Sequence, residues 1–169
     1  MDKVSNKLRA RAIKLGLCSD WQKDWVNKSK DELCEMFVRG IDFCIVNDYP
    51  STSYMKKNFD GVMQNHGIYV DEKISVYRPK LKTFVVNGKS DFNINVEDFD
   101  VCEIYVRHNS KATVNIKGQA RIFINIFDKS SVTINQSNSL SKAIVYNYSN
   151  NTDIYKNGVN IVVRKGKME

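Results

Sequence analysis

Ser110-Lys111-Ala112-Thr113-Val114-Asn115-Ile116 is echoed by Ser130-Ser131-Val132-Thr133-Ile134-Asn135. In both stretches a serine leads into β-branched residues that alternate with Thr or Asn. That alternation is the period-2 signature of a strand buried on one face. The pattern extends in both directions: Phe92-Asn93-Ile94-Asn95-Val96, Cys102-Glu103-Ile104-Tyr105-Val106, Ile122-Phe123-Ile124-Asn125-Ile126 and Val159-Asn160-Ile161-Val162-Val163 repeat it. Polar turns recur every eight to twelve residues. Asn87-Gly88 and Asn157-Gly158 are turn formers. Such regular short strands make either a solenoid of stacked rungs or a β-sandwich. The shortness of the rungs, and the small residues Ala112, Ala120 and Ala143 before apolar pairs, favour a single-stranded β-solenoid over the sandwich. The repeat length is read as loose, with no calcium-binding nonapeptide and no hexapeptide array.

Residues 1–75 follow a different period. Val4, Leu8, Ala12 and Leu15 make a helical stripe that stops at Gly16. Ser19 is placed to cap a helix over 20–27 with Trp21 and Trp25 one turn apart. Ser29-Lys30-Asp31-Glu32 has the form of a capping box, and the apolar stripe behind it predicts one helix to about Asn47. Tyr49-Pro50 ends that helix, and Ser51 or Ser53 starts another through Lys57. The fold class read from the sequence is therefore α+β. A helical head occupies 1–75, a charged linker 76–82, and the solenoid-like domain 83–169.

Composition limits function without choosing it. A hydrophobic share of 42% with 8 Phe, 8 Tyr and 2 Trp excludes global disorder. The net charge of +7 divides as +4 in residues 1–82 and +3 in 83–169, so no basic tail concentrates it. The cysteines Cys18, Cys34, Cys44 and Cys102 form no C-x-x-C pair and read as reduced, mostly core thiols. No apolar signal core follows Met1 and no apolar run reaches spanning length, so a cytosolic protein without membrane contact is expected.

No nucleotide-binding glycine loop, nucleophile elbow or zinc-protease signature occurs. His66 and His108 are the two histidines. Cys102 and His108 share a face by strand alternation but lie too far apart to touch. The carboxylates Asp91, Glu97, Asp98, Asp100, Glu103 and Asp128 hold the residue types for glycoside chemistry, though solvated turn positions explain most of them. No catalytic residue, cofactor or metal ligand is expected, and the chain is read as a non-enzyme. Trp21 and Trp25 are candidate partner-binding anchors. Lys7, Arg11 and Lys14 form a basic stripe that would contact phosphates if the chain served nucleic acid. Tyr105, Phe123, Phe127, Tyr146 and Tyr148, interleaved with Arg107, Arg121 and Lys142, would make a stacking platform if exposed, and rung filling if not.

The segments Leu8-Arg9-Ala10-Arg11-Ala12, Leu17-Cys18-Ser19-Asp20-Trp21 and Arg39-Gly40-Ile41-Asp42-Phe43-Cys44-Ile45, with Asn47-Asp48-Tyr49-Pro50, resemble uncharacterised gut-Bacteroidetes proteins, many of them phage- or prophage-associated. These join a helical head to a repetitive β tail with a segment like Ile104-Tyr105-Val106-Arg107-His108. The resemblance implies a phage-related structural or interaction role and assigns no site. The expected function is a structural or interaction protein that binds a protein partner or self-assembles. A nucleic-acid accessory factor is the alternative, and a small carbohydrate-active enzyme a third.

Overall fold

A computed structural model describes residues 3–167. The chain divides into two compact units, with the boundary after His66.

The first unit is helical: α1 Lys3–Lys14, α2 Ser19–Asp24, α3 Lys30–Arg39, α4 Ile41–Val46, α5 Thr52–Phe59 and a 3-10 turn Met63–His66. Gly16 ends α1 with φ +92, a conformation that favours glycine. The capping box forms as read: Glu32 N–H donates to Ser29 Oγ at 3.2 Å, and Ser29 N–H donates to Glu32 Oε2 at 2.8 Å. Those bonds from Ser29 hold the Glu32 carboxyl below its ordinary range. The single helix expected to run to Asn47 is instead broken at Gly40, which terminates α3 with φ −103 and ψ 32. A β-carbon there would lie 3.2 Å from the Met36 carbonyl oxygen and 3.3 Å from the Trp21 ring. The break lets an indole pack against bare backbone. Ser51 caps α5, its Oγ accepting from Tyr54 N–H.

The second unit is a β-solenoid of about five turns, each turn giving one strand to each of two parallel sheets. Its strands are β1 Ile68–Val70, β2 Lys73–Tyr77, β3 Thr83–Asn87, β4 Asp91–Val96, β5 Val101–Val106, β6 Lys111–Ile116, β7 Arg121–Ile126, β8 Ser131–Gln136, β9 Lys142–Asn147, β10 Asp153–Asn157 and β11 Ile161–Lys165. Odd-numbered strands form a six-stranded sheet and even-numbered strands a five-stranded one. Residues 68–77, assigned from the sequence to the head and linker, supply the first strand of each sheet. Their shortness, and a mixed pattern with no buried stripe in β2, hid them.

The repeat is tighter than the sequence suggests. Asp91 pairs with Lys111, Lys111 with Ser131, and Val101 with Arg121, so one coil is twenty residues through the middle of the stack. Each half is six strand residues and a four-residue turn. Inward columns stack like on like: Phe84, Ile104, Ile124 and Val145 in one sheet, and Ile94, Val114 and Ile134 in the other, all at most 1% exposed. Parallel strands buried on one face in this way spread the hydrophobic stabilisation evenly along the stack.

Turns are held coil to coil. The second turn residue is left-handed at Gly88, Asp98, His108, Gly118 and Asp128, with φ between 56 and 72. Asp and His tolerate that region better than most side chains. Along one edge, Gly88 N–H donates to His108 Nδ1 at 3.1 Å, and His108 N–H donates to Asp128 Oδ2 at 2.8 Å. His108 therefore carries its proton on Nε2 when it accepts this bond. Ser90, Ser110 and Ser130 close the same turns from inside, each at most 1% exposed, with hydroxyls bonded to carbonyl oxygens.

Candidate functional site

In the helical unit, α1 through α5 surround an apolar cavity of about 240 Å³. Its floor is Leu33, Cys34, Met36, Phe37, Cys44, Met55 and Phe59, all buried. Its mouth is set by Cys18, which is exposed, and by Trp21, Gly40, Phe43 and Pro50, which are half-buried. The amphipathic stripes of α3 and α5 furnish the floor, and the Gly40 break turns Phe43 and Cys44 of α4 toward the same space. The lining offers few polar groups. Tyr49 spends its hydroxyl proton on the Leu8 carbonyl at 2.8 Å, and burial raises its phenol above the ordinary range. Burial also pushes the Cys34 thiol up to about 12, so Cys34 is no nucleophile at neutral pH. Such a cavity suits an uncharged, apolar group.

Trp21 and Trp25, the two candidate anchors, both line this cavity. They differ in role. Trp25 is buried and its Nε1–H donates to Ser5 Oγ at 3.2 Å, which accounts for a serine on the buried face of α1. Trp21 stands at the mouth, half-buried, with the Arg39 guanidinium 5.2 Å from its ring centroid, within cation–π range. The cavity itself was not legible from sequence, because it depends on the break at Gly40.

The basic stripe is divided. Lys7 and Arg11 line a second pocket, of about 230 Å³, that shares Leu8, Tyr49 and Pro50 with the apolar cavity. Lys14 does not line it, and Lys7 lies 5.8 Å from the Tyr54 ring centroid. Arg9 turns away, its Nη2 donating to the Gln22 carbonyl at 3.0 Å.

In the solenoid, the carboxylates are scattered over separate positions. Glu97 lies in the turn after β4, bonded to Lys117 at 2.8 Å and 3.8 Å from Arg78. Asp100 lies 3.5 Å from Lys82, and Asp128 caps the opposite edge. Glu103 faces outward on the six-stranded sheet, where Tyr105 Oη and Asn125 Nδ2 each donate to Oε1 at 3.0 Å. Cys102 points into the core, where burial raises its thiol to about 11. The strand ends at Val106, so alternation does not carry through to His108. The aromatic residues weighed as a stacking platform or as rung filling are only partly exposed. Phe127 is buried and stacked on Tyr148 at 4.5 Å, and Arg107 is 5% exposed. The outer face of the five-stranded sheet carries an amide ladder the sequence reading left unnoticed: Asn157 donates to Asn135, Asn135 to Asn115, and Asn115 to Asn93. Its signal was the recurrence of Asn93, Asn115, Asn135 and Asn157 at spacings of 22, 20 and 22 residues.

Among the described residues no group of three or more His, Cys, Asp or Glu is placed to hold a metal ion, and no helix is long and apolar enough to cross a membrane. No protein-family profile, no curated protein and no solved structure matches this chain.

Proposed function

We propose that this chain is a non-enzymatic interaction protein whose helical unit takes an apolar side chain of a protein partner into the Trp21–Trp25 cavity. The β-solenoid supplies a rigid scaffold in the same chain. The observation that carries the reading is the cavity's mouth: Trp21, Phe43 and Pro50 stay half-exposed above a wholly apolar floor. Aromatic side chains at the rim of a pocket that excludes water are the composition of an interface hot spot. The four free cysteines, three of them buried, suit a reducing compartment such as the cytosol. The resemblance of the chain to phage-associated proteins supports a phage-related setting, which gene neighbourhood tests.

The binding test uses the full chain and two Gly/Ser heptapeptides, one with a central Phe and one with a central Ala. Tryptophan emission is expected to shift with the Phe peptide and not with the Ala peptide. Cys44→Leu, which fills the floor, is expected to abolish the shift while leaving the helical circular dichroism intact. Equal responses to both peptides sink the reading.

A further inference from the structure

The apolar cavity has a charged neighbour. The second pocket is framed by Lys7, Arg11, Asn47, Asp48, Ser51 and Tyr54, and its remaining wall includes Leu8, Tyr49 and Pro50, which also line the apolar cavity. Two cations against one carboxylate, Asp48, leave this lining positive. The Tyr49 hydroxyl proton is already given to the Leu8 carbonyl, so attraction of an anion falls to Lys7 and Arg11. They are two turn-spaced residues of α1, both exposed, and the intervening Leu8 is buried in the adjoining cavity.

We propose that the partner presents an apolar side chain with a carboxylate beside it. The side chain fills the cavity, and the carboxylate crosses the Leu8–Tyr49–Pro50 wall to meet Lys7 and Arg11. This rests on the apolar-anchor reading and adds the partner's charge to it. A cavity of about 240 Å³ lies below the roughly 300–1,000 Å³ of most small-molecule sites. It fits one large side chain better than a long acyl chain, so an acidic peptide is favoured over a fatty acid. Apolar contact supplies the affinity, and the paired cations supply orientation and speed of association.

The test compares, at low salt and with the full chain, three Gly/Ser heptapeptides centred on Phe-Asp, Phe-Asn and Ala-Asp, with decanoate as a lipid-like anion. The Phe-Asp peptide is expected to bind about tenfold more tightly than Phe-Asn, a gap worth about 1.4 kcal/mol. That gap is expected to collapse at high salt, because exposed charges are screened. The double variant Lys7→Gln, Arg11→Gln changes exposed side chains only, and is expected to erase the Asp-over-Asn preference while keeping Phe over Ala. Equal binding of Phe-Asp and Phe-Asn overturns the proposal and leaves the apolar anchor standing. Equal binding of Phe-Asp and Ala-Asp overturns both. Saturable decanoate binding without peptide binding assigns the site to a lipid and overturns the peptide partner.

Discussion

Lys117 Nζ meets Glu97 Oε1 at 2.8 Å across two successive coils of the solenoid. Glu97 is 8% exposed in its side chain, whereas Lys117 is half in solvent. The bond to Lys117 lowers the Glu97 carboxyl, and the bond to Glu97 raises the Lys117 ammonium. A group with a lowered folded-state pKa binds fewer protons folded than unfolded, so its contribution is present above the ordinary carboxylate range and is lost as pH falls through the folded value. The raised lysine behaves in mirror image, losing its contribution as pH rises through its folded value. The pair therefore acts on a plateau around neutrality.

Lys117→Met is expected to lower the urea midpoint at pH 7, with the difference from the parent shrinking as pH falls below the usual carboxylate range. A difference that stays constant from pH 7 to pH 2 would show that the ion pair contributes nothing.

Ile124 is fully buried in the middle of the stack, in register with Ile104 before it and Val145 after it. Ile124→Ala is expected to cost about 2–5 kcal/mol, because a rung flanked by two fixed coils has little freedom to collapse into the void. Denaturant unfolding followed by far-ultraviolet circular dichroism measures it. A loss below 1 kcal/mol would contradict a close-packed core.

Gly118 holds φ +66, and a β-carbon there would sit 2.8 Å from the Asp98 backbone nitrogen. Gly118→Val is expected to destabilise the solenoid by about 1–3 kcal/mol, combining left-handed strain with a backbone clash. His108→Gly occupies the same turn position on the other edge, where the native side chain already tolerates φ 60. It is expected to cost less, about 1 kcal/mol for the lost acceptor of Gly88 N–H. Reversed ranking in thermal unfolding would refute this account of the turns.

Cys18 is exposed, and Cys34, Cys44 and Cys102 are buried. A thiol-specific colorimetric reagent at pH 8 is expected to modify one thiol quickly in the native protein and four after denaturation. Cys18→Ser is expected to remove the fast phase. The thiols of Cys34 and Cys102, raised by burial to about 12 and about 11, hold their protons in the folded state after unfolded thiols have lost theirs. Stability is therefore expected to fall as pH rises from about 8.5, the ordinary thiol value, toward these raised values.

The capping box at Ser29 and the caps at Gly16 and Ser51 were legible because each is a contract between residues three or four apart. The strands of 83–169 were legible for a similar reason: alternation is a local code. The first coil, residues 68–77, was not, because β1 is three residues long. It becomes a strand only when β3 pairs with it. The same holds for the helix break at Gly40, which shows only where the Trp21 ring approaches it from another helix.

At the C-terminal end of the stack, two register columns turn polar. Ile134 is followed by Lys156, and Ile126 by Asn147 and then Lys165. The exposed charges of Lys156 and Lys165 on the last strands discourage another chain from adding to the edge. The tail residues Arg164 and Lys167 add to that charge.

The sequence by itself determined the two periods, the capped starts of α3 and α5 and the alternation of the strands, since hydrophobic alternation and capping act within a few residues. Only the tertiary structure decided which strands are neighbours, where the first coil begins and that five short helices leave an apolar space beneath Trp21. Those depend on surfaces meeting across twenty or more residues, where coil register and a helix break, not local preference, set what each side chain touches.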